Sequence, residues 1–260
     1  MAPPQRPRRG RRVRAYVGLG ANLGDAAATL AAGVHALASL PGARLAGVSR
    51  LYATRPVGVT DQPEFRNAVV ALDVPAGPGP ETGALALLLA LKAIERAFGR
   101  RARERWGPRE LDLDLLVFGR HALQIERPPA ATSADPAKPT LQWLQVPHPG
   151  ARERLFVLAP LADLAPGLRP PGWGETVASA RTRARAREGA DAVRPVARWD
   201  RAAGAWGPRD SPEQVHSLCT AQSTRPQSID RRPRQSIGRP AAYWSSNSSW
   251  TARRSNSKAK

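Results

Sequence analysis

Residues 105–119 of the chain, RWGPRELDLDLLVFG, place alternating leucine and aspartate directly after an arginine-rich turn. Side chains two positions apart on a strand share a face, so Asp112 and Asp114 are predicted to lie together while the leucines point to the core. Twice the rise per residue puts the two carboxylates about 7 Å apart. An ordinary half-buried strand with a wet outer face shows the same alternation. The alternation alone therefore predicts the strand but not its chemistry.

Hydrophobic spacing on either side of this strand predicts the rest of the fold. Strands and helices alternate in the order β-α-β-β-α-β, followed by a helix after Arg152 and a basic, helix-permissive stretch at 178–188. This order predicts an α+β fold of ferredoxin-like type, with an antiparallel sheet, helices on one face and a C-terminal helical extension. The predicted strands cover 14–20, 43–54, 65–74 and 111–119, and the helices between them lie within 27–42 and 81–99.

Charge and composition separate a central domain from its two ends. The net charge is +19 over 260 residues, and the first 14 residues hold six arginines and no acid. Both ends lack the aliphatic pattern that could offset the entropy of ordering, and such basic runs are usually solvated tails. The predicted organisation is a disordered basic arm at 1–13, a central domain at 14–180, a C-terminal extension at 181–207 and a disordered basic tail at 208–260.

Cysteine content and hydropathy bear on the cellular compartment. Cys219 is the single cysteine, so a disulfide within one chain is impossible, which suits a reducing cytoplasm. No apolar run reaches the length that spans a membrane, and the basic N-terminus precedes a poor signal-peptide core. We therefore expect a cytoplasmic protein that does not bind membranes.

Five arginines precede the two aspartates, which favours a site for a metal ion and a polyphosphate. Carboxylates are suited to hold Mg²⁺, Mg²⁺ binds phosphate oxygens, and guanidinium groups neutralise the remaining charge. Neither a Walker A loop nor the kinase signatures occur, and GLGANLG at 18–24 is closer to a strand-exit turn than to a phosphate cradle. The arginines are Arg100, Arg101, Arg103, Arg105 and Arg109.

Four segments in this order resemble the 6-hydroxymethyl-7,8-dihydropterin pyrophosphokinases of folate biosynthesis, over about residues 14–175. The segments are GLGANLGD at 18–25, DQPEFRNAVVALD at 61–73, RWGPRELDLDLLVFG at 105–119 and VPHPGARERLFVLAPLADLAP at 146–166. The resemblance implies a ferredoxin-like fold and transfer of pyrophosphate from ATP to the pterin hydroxymethyl group. It also implies release of AMP and the use of two Mg²⁺ ions.

The resemblance also implies roles for individual residues. Asp112 and Asp114 match the metal ligands, and Arg100 and Arg109 join them as the catalytic group. The ATP-binding residues would be Lys92, Glu95, Arg100, Trp106, Arg109, His148 and Arg154. The pterin-binding residues would be Thr54, Val57, Phe65, Asn67 and Phe156, with the two phenylalanines sandwiching the ring and Asn67 bonding its polar edge.

Two features depart from the family's pattern. Ala102 stands where the family often has a second loop arginine, and either Arg101 or Arg103 takes its place. The connection at 127–143 is longer than usual, so contacts to adenine are not carried over to it. The expected partners are ATP and the hydroxymethyl dihydropterin, the expected state is a monomer, and no specific nucleic acid is expected.

Two other classes of function compete with an enzyme for a basic chain of ferredoxin-like fold. A nucleic-acid-binding module would carry paired aromatic residues on the exposed strand, where this chain has Asp112 and Asp114. A structural descendant of an enzyme would have lost the metal ligands, which are present here. The enzyme is therefore the favoured hypothesis.

Overall fold

The computed structural model of the protein describes residues 11–55, 61–99, 109–132, 139 and 141–208. Within these residues the chain forms strands and helices in the order predicted for the ferredoxin-like core, with further elements after it. The elements are β1 (Arg12–Ala21), α1 (Ala26–Ala38), β2 (Arg44–Val48), β3 (Leu51–Thr54), β4 (Phe65–Pro75), α2 (Pro80–Ala97), β5 (Asp112–Phe118), β6 (Leu123–Glu126), β7 (Trp143–Val146), α3 (Leu155–Leu164), α4 (Val177–Glu188), β8 (Val193–Asp200) and β9 (Ala205–Gly207).

The main sheet has the strand order β5-β1-β4-β3-β8-β9, with β2 pairing with β4 beside this path. The paired strands run antiparallel. Strands β1 and β4 occupy the centre, flanked by β5 on one side and by β2 and β3 on the other. This is the predicted ferredoxin-like arrangement. Strands β6 and β7 form a separate antiparallel pair.

The first face of the sheet is covered by α1 and α2. The Asp25 side chain caps α1 by accepting a hydrogen bond from the Ala28 backbone N–H. Helix α2 begins at Pro80, and the missing N–H of proline is tolerated there because N–H groups of the first turn have no partner within the helix. Leucines of both helices, together with Val34 of α1 and Ile94 of α2, pack against alternate residues of the central strands. Val70 and Leu72 of β4 point to this side and are fully buried.

The second face of the sheet is covered in part by α3 and α4. Val69 and Ala71 of β4 point to this side and pack with Leu158 and Leu161 of α3. Side chains two positions apart on a strand share a face, so Phe65 and Asn67 lie on the same face as Val69 and Ala71. The α3 side of the sheet therefore carries the predicted pterin residues.

The region predicted as one strand at 43–54 is divided into β2 and β3. Ser49 lies at the break and is buried, and its hydroxyl accepts a hydrogen bond from the Val69 N–H at 2.9 Å and donates one to the Arg50 carbonyl at 2.7 Å. The side-chain hydroxyl satisfies backbone groups that a continuous ladder would have paired.

The predicted C-terminal helices are present as α3 and α4, whereas residues 193–207, for which neither a helix nor a strand was predicted, contain β8 and β9. Strand β8 continues the main sheet by pairing with β3, and β9 pairs with β8. Trp206 explains part of this: its indole N–H donates to the Ser49 carbonyl at 2.9 Å, and its ring meets Trp199 edge-on at 4.8 Å. The aromatic pair gives the extension its own contact with the core, which a polar helix there would lack.

Strand β1 also begins at Arg12, two residues inside the predicted arm at 1–13. Among the helices within the described ranges, none combines the length and the apolar character needed to cross a membrane.

Candidate active site

The two aspartates of β5 lie on the α3 side of the sheet, as the alternation predicts. Leu113 and Leu115 point the other way and are buried in the core with α2. In the register of β5 with β1, Asp112 pairs with Gly20 and Asp114 pairs with Gly18.

Gly18 and Gly20 form a bare strip between the aspartates and Asn67. Gly20 pairs with Asp112 on one side and with Asn67 on the other, so the latter two lie two strand spacings apart, about 10 Å. A Cβ on Gly20 would lie 3.3 Å from Oδ1 of Asn67. The strip therefore leaves room on the sheet surface for a ligand that reaches from the amide to the carboxylates.

Asn67 and Thr54 form the polar end of this strip. Both side chains are buried, and Nδ2 of Asn67 donates to Oγ1 of Thr54 at 3.0 Å. The bond leaves Oδ1 of Asn67 beside Gly20 as an acceptor directed over the strip.

Phe65 and Phe156 lie at the ends of two elements that border the strip. Phe65 is the first residue of β4, opposite Thr54, and is half-buried. Phe156 lies in the first turn of α3 and packs partly against the core on this face. Both rings lie within the described part of the chain, and no ring–ring contact joins them there. The sandwich of a flat ligand between the two rings stays a prediction.

Arg109 and Asp112 form an ion pair at the start of β5, in which a guanidinium N–H of Arg109 donates to Oδ2 of Asp112. The backbone of Arg109 is fixed by Asn22: its N–H donates to the Asn22 side-chain oxygen at 2.8 Å, and its carbonyl accepts from the Asn22 N–H at 3.1 Å. The Asn22 amide also donates to Gln62 at 3.0 Å and to the Pro63 carbonyl at 3.2 Å.

Asn22 is therefore a site residue that the sequence analysis missed. It is 3% exposed and joins the segment after β1, the segment before β4 and the segment before β5. An asparagine inside the glycine-rich GLGANLGD turn was the available signal, because a buried side-chain amide must find several partners.

Lys92 and Glu95 of α2 form a buried ion pair beneath β5. Both carboxylate oxygens of Glu95 accept from Nζ of Lys92, at 2.8 and 2.9 Å, and one also accepts from the Leu113 N–H at 2.8 Å. Glu95 is only 2% exposed. Its predicted contact with ATP stays a prediction, and in the structure its burial and these bonds make it the residue that holds Lys92 and β5 in place.

His148 and Arg154 provide the basic side of the site. The Gly150 N–H donates to Nδ1 of His148 at 3.2 Å, which places the proton of the neutral ring on Nε2. Burial lowers the pKa of His148 below its usual value, and the charge of Arg154 acts in the same direction, while that of Asp114 opposes it. The imidazole is thus a neutral donor near an aspartate.

A cleft opens between α2, β5 and the β6–β7 pair. Its lining combines apolar side chains with Lys92, Asp114 and His148, so three predicted site residues meet in it. The other lining residues are Leu88, Leu113, Leu115, Arg127, Trp143, Leu144, Gln145 and Pro149. The lining residues of the β6–β7 pair were not predicted to belong to the site. Residues 127–143, which join the two strands, were predicted only as a long connection.

A sequence profile of the 7,8-dihydro-6-hydroxymethylpterin-pyrophosphokinase (HPPK) family matches residues 16–166. The chain belongs to this family. The matched range spans the bare strip, both aspartates, the Lys92–Glu95 pair and the loop with His148.

Relatives of the HPPK chain carry the same family name. A 2-amino-4-hydroxy-6-hydroxymethyldihydropteridine pyrophosphokinase of Pseudomonas aeruginosa is 45% identical over 158 residues, which cover 61% of this chain and 84% of that protein. One of Methylorubrum extorquens is 42% identical over 167 residues, which cover 64% of this chain and 90% of that protein.

Solved HPPK-DHPS structures share the fold. A Plasmodium falciparum HPPK-DHPS triple mutant matches with a TM-score of 0.52 at 15% identity, covering 68% of this chain. An HPPK-DHPS in complex with substrates matches with a TM-score of 0.53 at 13% identity, covering 76% of this chain. The present chain spans 44% and 48% of those two longer chains.

Several predicted HPPK site residues lie outside the described residues. They are Val57, Arg100 and Trp106, together with Arg101, Ala102 and Arg103 of the loop substitution. Their roles stay predictions, as do the monomeric state, the cytoplasmic location and the absence of a specific nucleic-acid partner.

Proposed function

We propose that this chain transfers pyrophosphate from ATP to the hydroxymethyl group of 6-hydroxymethyl-7,8-dihydropterin and releases AMP. As a member of its family the chain is a pyrophosphokinase, a diphosphotransferase of folate biosynthesis whose co-substrate is ATP. One observation carries the placement of this reaction: the bare strip of Gly18 and Gly20 joins an aromatic and amide pocket to two aspartates.

The pterin would bind at the Asn67 end of the strip. A dihydropterin is flat, with a polar edge, and a site of two aromatic faces with a few directed polar groups suits such a ligand. Phe65 and Phe156 supply the faces, and Oδ1 of Asn67 supplies an acceptor for the ring's donors. The strip then leads the hydroxymethyl group toward Asp112.

ATP would bind in the cleft between α2 and the β6–β7 pair. Leu88 and Leu144 offer an apolar surface for the base, and Trp143, at 42% exposed, stands at the mouth. Lys92 and His148 lie at the inner end beside Asp114. This orientation directs the polyphosphate toward the strip, where the pterin hydroxyl would meet it.

The aspartates fit Mg²⁺ as the metal. Among the described residues no three His, Cys, Asp or Glu side chains converge on one point, and within this part of the chain Asp112 and Asp114 are the predicted ligands. Mg²⁺ commonly binds one or two carboxylates together with substrate phosphates, and two carboxylates about 7 Å apart leave space for two ions. Bound Mg²⁺ would offset polyphosphate charge and orient the scissile bond.

The protein's own groups would position the reactants and neutralise charge. Loose, metaphosphate-like transfer needs in-line placement and charge stabilisation more than covalent help. Arg109 reaches Asp112 in the structure and would turn to a phosphate oxygen when the nucleotide is bound. The neutral His148 would donate from Nε2, and Arg154 would add a second guanidinium.

The reaction is tested by incubating the protein with ATP, Mg²⁺ and the hydroxymethyl dihydropterin and separating the products. We expect AMP and a pterin diphosphate in equal amounts. Asp114→Asn, which keeps the shape and removes the charge, is the matched control and should lose this activity. ADP as the sole nucleotide product would contradict pyrophosphate transfer and favour ordinary phosphorylation.

A further inference from the structure

Gly150 lies between the two basic residues of the site. Its N–H donates to Nδ1 of His148 at 3.2 Å. A Cβ on Gly150 would lie 2.8 Å from Cζ, 2.9 Å from Nε and 3.1 Å from an Nη atom of Arg154. The guanidinium therefore occupies the space that the side chain of any other residue would fill.

The same guanidinium also lies over an aromatic ring. Cζ of Arg154 is 5.9 Å from the centroid of Phe156, which is within the range of a cation–π contact. The bare Cα of Gly150 and the Phe156 ring thus set the place of Arg154 from two directions.

We propose that Gly150 is a positioning residue for Arg154. Its lack of a side chain lets the guanidinium lie against the loop, while its N–H holds the His148 ring. The phosphate-binding role of Arg154 rests on the proposed function, but the contact between Gly150 and Arg154 does not.

The variant Gly150→Ala should change the position of Arg154 without destabilising the fold. Gly150 is absent from the glycines with positive φ, so its backbone conformation is open to alanine. The atoms that a methyl group would meet are the far end of a flexible side chain and not backbone. Gly150→Ala should therefore displace the guanidinium at little cost to the fold, and the N–H to His148 is kept.

A double-mutant cycle tests the proposal, using Gly150→Ala, Arg154→Ala and the double variant. Losing a charge-assisted hydrogen bond to phosphate should lower kcat/KM for ATP roughly tenfold or more in each single variant. The double variant should be no worse than Arg154→Ala, because residues that act through one contact are not additive. Gly167→Ala is the matched control: it is exposed, and nothing lies within 4 Å of its added Cβ.

The outcomes separate this proposal from the proposed function. A wild-type protein that releases no AMP contradicts the function itself. An Arg154→Ala variant with normal kcat/KM for ATP contradicts the role of Arg154. If Arg154→Ala is impaired but Gly150→Ala behaves like Gly167→Ala, or if the two losses multiply, Gly150 does not position Arg154. Thermal unfolding of each variant should stay at the wild-type midpoint, and a large drop for Gly150→Ala alone would also overturn the proposal.

Discussion

Replacement of Glu95 by alanine should destabilise the protein strongly, because the carboxylate is buried and holds an ion pair. The change removes the acceptor of three hydrogen bonds, two from Nζ of Lys92 and one from the Leu113 N–H. Lys92 is 16% exposed, so its ammonium would be left largely desolvated. Breaking a buried ion pair by removing one partner costs about 3–5 kcal/mol, and a buried N–H without an acceptor costs roughly 1–3 kcal/mol. Because water can enter the space and repair part of this loss, we expect about 3–5 kcal/mol in total.

Guanidinium chloride denaturation measures this loss through the shift of the unfolding midpoint. Glu81→Ala is the matched control on the same helix, since Glu81 is exposed in the first turn and its loss should cost about 0.3–1 kcal/mol. The double change Lys92→Met with Glu95→Leu should recover much of the stability, because replacing both partners removes the uncompensated charge. A Glu95→Ala variant within about 1 kcal/mol of wild type would refute the reasoning.

Three further predictions concern the site and the sheet. Asp112→Ala or Asp114→Ala should lower the rate of AMP formation by orders of magnitude at an unchanged melting temperature. Near-normal turnover of either variant would contradict the assignment of these aspartates as metal ligands. Phe156→Ala should weaken pterin binding about tenfold or more and leave ATP binding unchanged, as titration calorimetry with each ligand can show, since stacking contributes roughly 1–3 kcal/mol per ring. The hydrogen bond from Arg14 lowers the pKa of the Asp73 carboxyl in the folded protein. The ion pair therefore stabilises the fold fully above the unfolded pKa of about 3.9, and this stabilisation is lost as the pH falls through the lower pKa of the folded state. Asp73→Asn should therefore cost up to about 1 kcal/mol in urea denaturation at neutral pH and nothing at low pH, and an equal loss at both would contradict the ion pair.

Local patterns were sufficient to predict the ferredoxin-like core. The alternation at Asp112 and Asp114 predicts the strand and its two faces, because burial on one side is a property of the strand itself. Strand β8 was not predicted, since its sequence contains Pro195 and mixed charges and becomes a strand by pairing with β3. The short strands β6 and β7 depend on each other in the same way. Long-range pairing overrides weak local propensity, and no local signal reports it.

In the proposed site, too, the residues identified by sequence motifs were predicted, whereas those defined by tertiary contacts were not. Two of the residues identified by motif are Asn67, which lies on the α3 side of the sheet, and His148, which lines the cleft with Asp114. The burial of Glu95 beneath β5 was not predicted, because a sequence does not show whether an acid on a helix points outward or beneath a strand. Asn22 was missed for the converse reason: its importance lies in three contacts to segments distant in sequence.

A crystal structure of the protein with Mg²⁺, a non-hydrolysable ATP analogue and the hydroxymethyl dihydropterin tests the central claim most directly. The account predicts the pterin ring between Phe65 and Phe156, with its polar edge at Asn67. It also predicts the polyphosphate over the glycine strip beside Asp112 and Asp114. A pterin bound away from the two phenylalanines, or phosphates bound away from the two aspartates, would contradict it.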